Sequence, residues 1–129
     1  MMITTPISVG ELLDKLSILF IKKSRITNPE KLFQVEKEFF YLQELADPFL
    51  GVKDYFNLYD DLVKVNLKLW NIEDEIRVYE KKKQFDEKFI ELARSVYYTN
   101  DERFEIKNKI NLLTNSEIQE QKSYEDYKN

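Results

Sequence analysis

Apolar residues recur at three- and four-residue spacings along almost the whole chain, and that period predicts helix nearly throughout. Leu12, Leu16, Leu19 and Phe20 form one stripe over roughly 9–26, while Ile18 and Ile21 add apolar character on the far side. A helix apolar on two sides is expected at the centre of a bundle. "SVGE" at 8–11 fits a capping box, in which Ser8 accepts from the backbone of Glu11 and Glu11 reaches back. "NPEK" at 28–31 restarts the chain, with Asn28 as N-cap, Pro29 in the first helical position and Glu30 at the positive end of the dipole. The second helix carries Leu32, Val35, Phe39, Leu42 and Ala46 inward and stops near "DPFLG" at 47–51. A third, over roughly 53–83, keeps Leu58, Leu62, Val65, Leu69, Ile72, Ile76 and Tyr79 in register. "KKQFD" at 82–86 makes a tight reversal with Asp86 as a cap, and a fourth helix runs from about 87 to 114 on Phe89, Leu92, Val96, Ile106, Ile110 and Leu113.

The expected architecture is all-α: a bundle of four main helices in one helical domain over 1–129, with 1–7 and 116–129 peripheral. The last two helices, each roughly 40 Å long at the α-helical rise, form a long antiparallel hairpin against which the shorter first pair packs. "SEIQEQKSYEDYKN" at the end is polar and is either a short final helix or a tail.

Composition narrows the chemistry. At 129 residues, 43% of them hydrophobic, the chain can bury one good core. It has no cysteine and no histidine, which removes disulfides, thiol nucleophiles, Cys/His zinc sites and every histidine acid–base scheme. Two glycines leave no Walker loop and no GxGxxG cradle, so no motif implies a cofactor. A net charge of −4 argues against nucleic acid and anionic membranes as partners, and Lys81, Lys82 and Lys83 are too short a basic run to change that. The longest apolar run, "ILFI", cannot span a bilayer, and "MMITTPISVG" lacks the order of a secretory signal, so a cytoplasmic location is expected. Paired ExxE and ExxD motifs would invite a Mg²⁺ reading. Here Glu44 with Asp47 comes before Glu102 with Glu105 and Glu117 with Glu120, the reverse of the usual order, so these are read as surface carboxylates and no metal site is assigned.

The informative feature is a set of polar interruptions. On a wheel of 100° per residue Arg103 falls inside the apolar arc of the fourth helix, with Asn100, Lys107 and Asn111 on its edge. On the third helix Glu73 and Glu80 lie on or beside the stripe, flanked by Asn66, Trp70 and Arg77. With the reversal near residue 84, Asn66 comes level with Arg103, and the polar groups of both helices gather at one height. A charge taken from water costs several kcal/mol unless paired, so these groups need partners. One reading is a satisfied network in which Arg103 and Lys107 pair with Glu73, Asp14 or Glu11. A variant has Thr99 restart the helix as the cap of a box with Glu102, turning Arg103 to water. The sharper reading is a pocket whose cations hold an anionic ligand.

Four blocks occur in order: "ISVGELLDKLSILFIKKSRI" at 7–26, "LWNIEDEIR" at 69–77, "FIELARSVYYTNDERFEIKNKIN" at 89–111 and "EQKSY" at 120–124. With these the chain resembles, over nearly its full length, a family of small bacterial and phage proteins known only as a domain of unknown function. Its members are often encoded near sugar-transfer and surface-polysaccharide genes. The resemblance supplies no catalytic residues. It does mark Asp14, Lys15, Glu73, Asp74, Arg77, Arg94, Asn100, Asp101, Arg103 and Lys107 as part of the family pattern. Two functions are therefore carried forward. The leading one is a non-catalytic accessory or interaction module, with a homodimer formed through the long hairpin. The alternative is a small-molecule-binding protein or enzyme with its site between helices one, three and four. There Arg77, Arg103 and Lys107 would hold a phosphate, carboxylate or sugar nucleotide, Asn100 would orient it, Trp70 is a further binding candidate, and Glu73 or Asp14 would act as base or metal ligand.

Overall fold

A computed structural model describes residues 1–128 and places four helices in chain order: α1 (Val9–Arg25), α2 (Pro29–Ala46), α3 (Tyr55–Lys81) and α4 (Glu87–Leu113), with a 3-10 turn at Asp47–Phe49. The described residues contain no strand. α3 and α4 pack side by side as the antiparallel hairpin, α1 touches all three other helices, and α2 packs against α1. The two-sided apolar pattern of α1 thus has its structural counterpart: Leu12, Leu16 and Leu19 are buried along one stripe, and Leu13 and Ile21 on another side. Leu13 and Leu62 form the innermost layer, joined by Leu58, Val65 and Ile110.

Local chemistry sets the helix ends. Ser8 Oγ accepts from Glu11 N at 3.0 Å, Asn28 Oδ1 from Lys31 N at 3.0 Å, and Asp86 Oδ1 from Phe89 N at 3.1 Å. The capping box at 8–11 forms only by half, because the Glu11 carboxylate goes to Lys107 instead of back to its own helix. α3 ends in a Schellman turn: Gln84 N donates to Tyr79 O and Lys83 N to Glu80 O, with Lys83 left-handed at φ 54. α4 ends the same way, Ser116 N donating to Asn111 O and Asn115 N to Leu112 O, with Asn115 at φ 53.

Several expectations are corrected. α4 runs unbroken through Thr99–Glu102, and Thr99 is buried within it, so the helix does not restart and Arg103 keeps its inward phase. Phe20 stands exposed on the rim of a groove between α1, α2 and α3, since Leu13 and Leu16 already fill the inner positions. Leu113 is exposed as well, because the Schellman turn leads the chain away one residue later. Residues 117–128 form no helix; they run back along α4 as an extended strap. α1 has 17 residues against 27 in each hairpin helix, so it is shorter by roughly 15 Å and leaves the far end of the hairpin bare. Val78, Phe85 and Ile90 are exposed there.

Candidate functional site

The site begins at a glycine. A Cβ on Gly10 would lie 2.5 Å from the Lys107 carbonyl oxygen and 2.9 Å from Asn111 Oδ1, so only glycine lets α1 approach α4 this closely. At that distance the free backbone donors of the first turn of α1 find partners more than a hundred residues away in sequence. Gly10 N donates to Asn111 Oδ1 at 2.7 Å and Val9 N to Ser116 Oγ at 3.1 Å. Asn111 Nδ2 is buried on the same seam without a hydrogen-bond partner.

One turn further along α1 stands Asp14, with no exposed surface. Its Oδ1 accepts from Arg103 Nε at 2.9 Å and from Asn66 Nδ2 at 2.9 Å, and its Oδ2 accepts from Arg103 Nη2. Asn66 Nδ2 also donates to Ser17 Oγ at 2.8 Å. Three helices therefore converge on one sealed carboxylate, and Arg103 and Asn66 do share a level as their spacing from the reversal implies. The two-pronged Arg–carboxylate contact is the strong geometry for such a pair, and the Asp14 carboxylate holds the Arg103 guanidinium above its ordinary pKa.

Lys107 is buried next in line, with its Nζ 2.8 Å from Glu11 Oε2 and donating to Glu120 Oε1 and Oε2 at 3.0 and 2.9 Å. Burial disfavours the ammonium, but the Glu11 and Glu120 carboxylates outweigh it and hold the Lys107 pKa above the lysine norm. Glu120 belongs to the strap, which continues past Lys122, whose Nζ donates to Asp101 Oδ1 at 2.8 Å. The strap ends on Tyr127, which donates to Asp101 Oδ2 and sets its ring edge-on against Tyr97 and Tyr98. Lys122 and then Tyr127 hold the Asp101 carboxyl below the usual aspartate range.

Between strap and helix lies a cleft of about 480 Å³, lined by Tyr97, Asn100, Asp101, Arg103, Phe104, Lys107, Glu120, Lys122 and Tyr124. On the other side of Arg103 a second cleft, about 310 Å³, is lined by Ile18, Ile21, Asn66, Leu69, Trp70, Glu73, Asn100 and Arg103. Asn100 and Arg103 belong to both. Of the candidate residues, Arg103, Lys107 and Asn100 face the first cleft, and Trp70 and Glu73 the second. Arg77 lines neither; it is exposed and pairs with Glu73 four residues back at 3.3 Å. Asp14 touches neither cleft and stands behind Arg103. The periodicity could not show Lys122 and Tyr124, which reach the cleft from a non-helical segment whose only signal is the aromatic and charged composition of "EQKSYEDY". Among the described residues no three carboxylates gather as a metal site would need, and no helix is long and apolar enough to cross a membrane.

These features define an all-helical bundle protein with a charged seam through its interior and a polar, aromatic cleft beneath its C-terminal strap. The chain belongs to the Family of unknown function (DUF6165), which matches residues 3–128. No curated protein and no solved structure matches it.

Proposed function

We propose that the protein is a non-catalytic module that holds a polyhydroxylated small molecule, carrying at most one negative charge, in the cleft between α4 and the strap. The observation that carries this reading is the state of Arg103. Its Nε and Nη2 are fixed by a sealed carboxylate, its side chain keeps 28% of its surface exposed, and it lines the cleft beside Asn100, Tyr97, Phe104 and Tyr124. A pre-fixed guanidinium, a side-chain amide and aromatic faces are the means by which a polar ring is gripped, and the cleft has the size of a small-molecule site. Charge sets the limit on the ligand. Among the residues lining the cleft, Arg103, Lys107 and Lys122 exceed Asp101 and Glu120 by one positive charge. A neutral sugar or a sugar carboxylate fits that balance; a nucleoside triphosphate brings several negative charges against one positive. The sugar-transfer gene context of the resembled family points the same way. The two carboxylates lining the cleft are each bound to a lysine, Asp101 to Lys122 and Glu120 to Lys107, which supports holding rather than turnover.

Calorimetric titration and thermal shift with neutral sugars, uronic acids, sugar phosphates and nucleotides test this. Binding by the first two classes, weakened at least about tenfold by Asn100→Ala, is the expected outcome. No response to any class, or equal responses in the variant, would sink it. A second reading, a protein-interaction module, is favoured by a separate observation, the bare outer face of α2.

A further inference from the structure

α2 is the least buried of the four α-helices. Of its 18 residues Ala46 alone is buried, and the residues facing α1 are only half covered. On its outer side Phe33 is 63% exposed and Phe40 62%, with Tyr41 and Leu45 exposed beside them. Full burial of each such ring is worth about 1.5–3 kcal/mol, so this face has a large unspent driving force. Phe33, Lys37, Phe40 and Glu44 recur at four, three and four residues, which makes one ridge along the helix. Next to that ridge runs an apolar groove of about 310 Å³ between α2 and its neighbours, bounded by Phe20, Leu50 and Phe56, all exposed.

The charges on the ridge specify what covers it. Neither Lys37 nor Glu44 enters an ion pair among the described residues. Lys37 lies as far before the Phe40–Tyr41 junction as Glu44 lies after it. Two copies of α2 crossing antiparallel about that junction bring each Lys37 to the other copy's Glu44 and each Phe40 to the centre. A parallel crossing would instead set Lys37 on Lys37 and Glu44 on Glu44. In the antiparallel register Phe33 of one copy arrives near Pro48 of the other, where Asp47, Leu50 and Phe56 form the open end of the groove. The ridge is thus complementary to itself under a two-fold axis, as an isologous interface requires.

We propose that the outer ridge of α2 is a self-association surface, and that its occupant is α2 of a second copy of this chain, antiparallel and centred on the Phe40–Tyr41 junction. The inference is independent of the cleft. Sedimentation velocity over a concentration series, with circular dichroism as a fold control, tests it on five proteins. The wild type should be a concentration-dependent dimer. Lys37→Glu and Glu44→Lys should each weaken it at least about tenfold, since the two-fold axis converts two attractive pairs to repulsive ones per substitution. The combined Lys37→Glu/Glu44→Lys protein should recover to within a few-fold of the wild type, and Phe40→Asp should be monomeric with unchanged helicity. A monomeric wild type at the highest concentration would overturn the proposal. So would a dimer indifferent to the single charge reversals, or one not recovered in the double.

Discussion

In the interior of most helices, replacing glycine by alanine gains about 1 kcal/mol. At Gly10 the sign should reverse, because the new methyl would meet the Lys107 backbone carbonyl, which no side-chain rotation can move aside. Gly10→Ala is expected to lose about 1–3 kcal/mol in chemical denaturation; a stabilised variant would mean that α1 does not sit this close to α4. Asp14 and Arg103 test a different kind of residue effect. Asp14→Leu alone leaves a half-buried guanidinium without its acceptor and Asn66 Nδ2 with Ser17 Oγ as its remaining one, and should cost about 3–5 kcal/mol. Asp14→Leu with Arg103→Met removes both charges and should cost much less than the single change, since a buried ion pair contributes little over an apolar pair of similar volume. Equal losses in the two proteins would show that Arg103 finds solvent readily and that the pair does not hold α1 to α4.

At the scale of elements, the end of α3 shows what a left-handed residue costs. Lys83 occupies the position where a Schellman turn favours glycine, and a side chain there is strained by about 1 kcal/mol. Lys83→Gly should raise the unfolding free energy by about that amount; a loss would mean that the Lys83–Glu80 contact outweighs backbone strain. The same scale explains what was legible in the chain. The helices and their caps at Ser8, Asn28 and Asp86 follow from local spacing, because a cap and a stripe are decided within one or two turns. The anomaly of Arg103 was legible too, since the phase of α4 alone sets it inward. Its partner was not: Glu73, Glu11 and Asp14 all satisfied the pattern, and only the approach of α1 through Gly10 selects Asp14. The strap was illegible for a related reason. It has no period, and it is held by side chains of α4 rather than by its own backbone.

For the molecule as a whole, the strap ties the seam to pH from both sides. The Asp101 pKa is depressed in the folded state, so its pairing with Lys122 and Tyr127 contributes above the ordinary aspartate value, about 3.9, and is lost as pH falls through the lower folded value. The Lys107 pKa is raised, so its pairing contributes below the ordinary lysine value, about 10.4, and is lost as pH rises through the higher folded one. The strap should therefore stay docked from about pH 4 to pH 10 and detach first at the acid end, where Tyr127 leaves Tyr97 and Tyr98. Hydrogen exchange of residues 117–128 and tyrosine fluorescence should change together there, before the far-ultraviolet helix signal does. A chain cut after Glu117 keeps Ser116 on the α1 terminus and Glu11 on Lys107, so it should remain helical while its acid transition of tyrosine fluorescence disappears. If the truncated chain unfolds, the strap is part of the fold itself. If it folds and the acid transition persists, that transition does not report release of the strap.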